Sequence, residues 1–156
     1  MAGVRFAILG AAAAALVSIG ITAAAQDATE TIKARQTLMK GIGDNSKGIG
    51  NVVKGTSSES LDDLKRRAGE ISAAAAKISA AFGPEFHAGN APAGVETTAL
   101  PVIWTDKAKF NESAKAMEAA SAKLSEAADM EAATAGFAAM AKTCGGCHNT
   151  FRQKKS

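Results

Sequence analysis

Downstream of residue 25, apolar positions recur every three or four residues, the period of helices with one buried face. Ile32, Met39 and Val53, with Ile42 and Ile49 between them, form one stripe and predict a first helix over residues 28–54. Asp27 stands at its N-cap position, and Glu30, three residues on, completes a capping-box pattern. A second helix is predicted over 61–82, capped by Ser60 and ended by Gly83-Pro84. A third, over 106–127, turns Phe110, Ala114, Met117, Ala120, Ser121 and Leu124 inward, and a fourth, over 130–153, starts from Asp129. No run alternates as a half-buried strand does, and no internal repeat is present. Two of the three junctions are short, which favours antiparallel neighbours and an all-α, up-down-up-down four-helix bundle.

Two features interrupt this pattern. Gly41, Gly43, Gly48 and Gly50 fall in the first helix, where each costs up to about 1 kcal/mol relative to alanine. Such a cluster allows either a bend or the close approach of something bulky. Residues 83–104 form a long connection that holds all 3 prolines. Loops of this length are usually functional or packed on a ligand.

The first 25 residues have another character. A positively charged start through Arg5, an apolar run over 6–21 and the small residues Ala23-Ala24-Ala25 read as a secretory signal, cut after Ala25. The run is too short and too alanine-rich for a comfortable membrane span. The expected division is therefore a signal peptide over 1–25 and one domain over 26–156, exported to the periplasm, with no stable membrane anchor after cleavage. Cleavage removes Arg5, so Lys plus Arg falls from 18 to 17 against 15 Asp plus Glu, a net charge of about +2. Nucleic-acid binding needs a far more basic face.

The chemistry concentrates in one motif. The chain has 2 cysteines, and both lie in Cys144-Gly145-Gly146-Cys147-His148. A disulfide between residues so close would staple almost nothing. A thioredoxin-like CxxC belongs after a strand, and no strand is predicted. A zinc site needs four ligands, while Cys144, Cys147, His87 and His148 exhaust the Cys and His of the chain. Cys-x-x-Cys-His is the attachment motif of haem c: the thiols add across the two vinyl groups, and the imidazole takes one axial position of the iron. On a helix the three side chains share one face.

With that motif in the last helix, the chain resembles the class II c-type cytochromes, the cytochrome c-prime family. The resemblance spans nearly all of 26–156 and rests on three stretches: Ile32-Lys33-Ala34-Arg35-Gln36-Thr37-Leu38-Met39-Lys40, Glu96-Thr97-Thr98-Ala99-Leu100-Pro101-Val102-Ile103-Trp104, and Cys144 through Arg152. The ending and the Leu-Pro-Val-Ile-Trp stretch look most like the low-spin members called cytochrome c-556. The resemblance implies one haem between the helices and periplasmic electron transfer with unidentified redox partner proteins. It allows a monomer or a homodimer paired through the first two helices. Lys65, Arg66 and Arg67 beside Asp62 and Asp63 say nothing about pairing.

The resemblance also implies that Met39 faces the side of the iron opposite His148. Two readings follow. A bonded thioether gives a low-spin electron carrier. An unbonded one leaves a five-coordinate, high-spin iron that binds NO or CO. No distal histidine or acid is visible to move protons, so an enzyme role has no support. Arg35 and Gln36 are implied to meet the haem, Arg35 with its planar fork near a propionate, although a solvated arginine is the plainer alternative. Glu96 and Thr97 match a segment that lies against the haem in the family. His87 reads as a surface residue rather than a ligand. Arg152, four after His148, either flanks the ligand imidazole or belongs to a basic tail with Lys154 and Lys155. If it flanks the imidazole, Arg152→Ala lowers the reduction potential; a potentiometric titration with no downward shift assigns Arg152 to the tail.

Overall fold

The structure, a computed structural model, describes residues 16–154. Six helices follow one another: α1 (Leu16–Val53), α2 (Leu61–Ala75), α3 (Ile78–Ala81), α4 (Val102–Thr105), α5 (Lys107–Ser125) and α6 (Met130–Phe151). Helices α1, α2, α5 and α6 form the four-helix bundle. Among the described residues there is no strand, only an isolated antiparallel bridge between Ala99 and Arg152.

The helices sit near their predicted places, with boundaries set by hydrogen bonds that the pattern does not reveal. α1 starts upstream of its predicted origin because the alanine-rich residues before Asp27 are strong helix formers. Asp27 therefore lies within the helix, exposed, and caps nothing at its start. Residues 1–15 of the expected signal peptide lie outside the described residues, and residues 16–25 continue directly into α1. At its other end α1 closes in a Schellman turn. Gly55 adopts φ 69°, its N–H donates to the Val52 carbonyl at 3.0 Å, and the Thr56 N–H donates to the Asn51 carbonyl at 2.9 Å.

Ser60 and Asp63 cap α2 reciprocally, as the capping box requires. The predicted second helix breaks into α2 and α3, since the Lys77 N–H donates to Ala74, three residues back, at 3.0 Å and so tightens the coil there. Asp106 and Asp129 accept from the Lys109 and Ala132 N–H groups and cap α5 and α6. α6 stops at Phe151, two residues early, because Arg152 and Gln153 leave the helix to pair with the long loop.

Most positions of the predicted stripes are core, with Met39, Val53 and Ala120 half-buried at its edge. Ile32, Ile42 and Ile49 of α1 are buried, as are Phe110, Ala114, Met117, Ser121 and Leu124 of α5. Leu64, Ala68 and Ile71 of α2 meet them. Two of the four α1 glycines mark close approaches rather than a bend. A Cβ on Gly48 would fall 2.7 Å from the Arg67 Nε, and one on Gly50 would fall 3.3 Å from the Phe137 ring. α1 packs closely on α2 and only sparsely on α6, so one seam of the bundle is thinly filled. Among the described residues no helix is long and apolar enough to cross a membrane.

Leu64 is fully buried and takes no part in the cavity described below. Leu64→Ala should destabilise the fold by about 2–5 kcal/mol through the cavity it leaves. Urea unfolding should show this as a lower midpoint, with the visible spectrum of the folded protein unchanged.

Candidate haem site

The thin seam encloses a cavity of about 620 Å³, within the ~300–1,000 Å³ usual for small-molecule and cofactor sites. α1 lends it Ile32, Arg35, Gln36, Met39, Ile42 and Gly43, and α6 lends it Cys144, Cys147, His148 and Phe151. Ile78, Phe82, Ile103, Phe110 and Met117 close it from α3, α4 and α5, and residues 96–99 of the long loop form its rim. All eight residues singled out in the sequence, Cys144, Cys147, His148, Met39, Arg35, Gln36, Glu96 and Thr97, line this one cavity. His87 does not; it packs against the Trp104 ring, 6.0 Å between centroids.

The donor set fits a covalently held haem. Cys144 and Cys147 are half-buried on the α6 face that looks into the cavity, and burial pushes both thiols above the ordinary range, so each is a neutral thiol. His148 is pushed the other way, first by burial and then by the Arg152 charge. Its neutral imidazole, the form that ligates a metal, is favoured. Ile32, Ile42, Ile78, Phe82, Ile103, Phe110, Met117 and Phe151 supply the apolar surface that a porphyrin face requires, while Gln36, Lys40, Glu96 and Arg152 stand at the exposed edge.

Arg35, whose fork the resemblance aims at a propionate, is held in place by the chain itself. It is 4% exposed. Its Nε donates to the Ala81 carbonyl at 2.7 Å, one terminal nitrogen to Phe86 at 3.1 Å and the other to Pro84 at 2.5 Å. The guanidinium also lies over the rings of Phe82, Trp104 and Phe86, at 4.8, 5.5 and 5.7 Å. Three of its five N–H donors are thus committed to the turn after α3, which leaves one on each terminal nitrogen for a carboxylate. Gln36, the next residue, donates its Nε2 to the Glu96 carbonyl at 2.7 Å.

Sequence reasoning missed Phe82, Trp104 and Lys107 as parts of this support. The Trp104 Nε1 and the Lys107 Nζ both donate to the Phe82 carbonyl, at 3.0 and 2.6 Å. Their only advance signal is chemical: an aromatic residue at a helix end and a cation just after a proline-rich loop. Ser46 and Ser113, also on the wall, carry no signal in the sequence.

Two thiols and an imidazole facing an apolar cavity in a four-helix bundle define a c-type haem protein. Comparison with known proteins agrees. The family model described as Cytochrome C' matches residues 30–152. Cytochrome c' of Rhodopseudomonas palustris is 31% identical over 129 residues, which cover 82% of this chain and 85% of that protein. Cytochrome c-556 of the same organism is 28% identical over 124 residues, 77% of this chain and 80% of that protein. A solved nitric oxide complex of a mutant cytochrome c prime from Alcaligenes xylosoxidans superposes with a TM-score of 0.69 at 29% identity, covering 82% of this chain and 97% of that one. The chain belongs to the cytochrome c′ family, and its cofactor is haem c, covalently attached.

Covalent attachment through both thiols has a direct test. On a denaturing gel the wild-type chain should keep its haem stain, whereas Cys144→Ser combined with Cys147→Ser should lose it and yield haem to acidified solvent. Haem retained by the double variant would contradict this assignment.

Proposed function

We propose that this protein is a periplasmic, monohaem cytochrome whose iron keeps one open, apolar face that takes NO or CO. In this reading Cys144 and Cys147 would form the thioethers, His148 would ligate the iron, and Met39 would pack against the haem without bonding. The wall that α1 presents to the cavity carries the reading. Ile32, Ile42 and Gly43 offer the iron no donor, Met39 offers only a weak thioether and Ser46 a neutral hydroxyl, while Arg35, Gln36 and Lys40 are taken up by backbone carbonyls and by Asp44. The relatives named cytochrome c', one of them solved with nitric oxide bound, support it. On that support we put the open-iron reading ahead of the low-spin carrier that the c-556-like ending favoured.

The haem supplies an iron that exchanges one electron and binds a diatomic at its free face. The chain does the rest. His148 holds one side, while the apolar side chains of Ile32, Met39 and Ile42 line the other. Such a site binds a neutral diatomic without activating it, which fits storage, sensing or removal of the gas rather than turnover. Residues 1–25 act as an export signal in this reading, and pairing with a second copy is compatible with it.

A second reading rests on the same Met39, whose side chain lines the cavity with His148 and whose thioether is a known axial partner. The relatives named cytochrome c-556 favour it. In that case the protein is an electron carrier.

The visible spectrum separates the two. Open iron gives a high-spin spectrum that shifts at once on adding CO, and Met39→Ala leaves its spin state unchanged. A low-spin spectrum with a methionine-to-iron charge-transfer band, converted to high-spin by Met39→Ala, makes the protein a carrier.

A further inference from the structure

α1 and α6 touch sparsely, yet they carry Met39 and His148, the residues assigned above to the two sides of the iron. Residues 96–100 bridge them. At one end the Gln36 side chain of α1 holds the Glu96 carbonyl. At the other end the backbone does the holding. The Gln153 N–H donates to Thr98 at 2.8 Å, the Leu100 N–H donates to Phe151 at 3.1 Å, and Ala99 bridges Arg152. The Arg152 N–H in turn donates to the His148 carbonyl at 3.2 Å. Five residues of loop therefore run from a side chain one turn before Met39 to the turn that follows His148.

The two ends differ in strength. The α6 end is a short backbone ladder. Among the described residues the α1 end is a single side-chain bond, made in an exposed setting. The bar also lies where the cavity opens, since the exposed lining residues Gln36, Lys40, Gly43, Glu96, His148 and Arg152 mark its mouth.

We propose that residues 96–100 are a strap across the mouth of the haem cavity, fastened to α1 by Gln36, and that this fastening limits the size and rate of the ligands that reach the iron. Gln36 is a positioning residue here. It acts through the Glu96 carbonyl and touches no ligand itself. The strap passes a diatomic and hinders anything larger. The inference rests on the reading that the cavity holds the haem between Met39 and His148.

The test uses the haem-loaded protein and four chains: wild type, Gln36→Ala, Gln36→Glu and Gln36→Lys. Gln36→Glu keeps the shape but cannot donate to a carbonyl at neutral pH, whereas Gln36→Lys restores a donor. Association of CO and of ethyl isocyanide with the ferrous protein is followed after flash photolysis. Gln36→Ala and Gln36→Glu should speed isocyanide entry by about two- to tenfold, the worth of one neutral hydrogen bond. CO should speed up less, Gln36→Lys should return toward wild type, and the melting temperature should barely move. Equal rates in all four chains overturn the strap, as does a Gln36→Lys chain as fast as Gln36→Glu. Repeating the series with Met39→Ala opens the iron whichever axial reading holds. A Gln36 effect that persists there supports the strap even if the wild-type spectrum is low-spin, and its absence there overturns the strap alone.

Discussion

The buried guanidinium of Arg35 holds the haem side of this bundle together. Burying a cation is costly unless its hydrogen bonds are met. Among the described residues no carboxylate meets this one. It is solvated instead by the ends of a backbone turn and by three aromatic faces. Burial draws its pKa below the ordinary value, yet an arginine starts so high that it keeps its charge. The carbonyls of Ala81 and Phe82 at the end of α3 need donors, and Arg35, Trp104 and Lys107 supply them. One residue of α1 thereby fixes where α3 ends, where the long loop departs and how Phe82 and Trp104 stand beside the cavity.

This arrangement explains what could be read from the sequence and what could not. Helix positions were legible because burial imposes a period, and Ser60, Asp106 and Asp129 announce their own starts. The haem motif was legible because covalent attachment demands two thiols and an imidazole at fixed spacing on one helix face. Met39 was visible twice, once as part of the apolar stripe and once through family resemblance.

What stayed hidden depends on partners far away along the chain. Arg35 reaches carbonyls 46 to 51 residues on, and a carbonyl carries no sequence signature. Resemblance pointed to Arg35 as a haem contact, and the cavity wall does include it, but its three bonds run to the chain itself. α4 was lost inside a proline-rich stretch for a related reason. Its four residues are held by the Pro101 and Val102 carbonyls and by packing, too short to show a period. The early end of α6 follows from pairing with residues 98–100, a contact between segments some fifty positions apart.

The thinly filled seam has a consequence for how the protein comes into being. A bundle normally closes each pair of neighbouring helices with interlocking side chains, and here one pair leaves a hollow of about 620 Å³ with oily walls. A hollow of that kind is a fault line in a chain without its cofactor and a completed interior once the porphyrin lies in it. The cofactor is thus the last piece of the core as well as the source of chemistry. Because the attachment is covalent, that piece of the core stays with the chain.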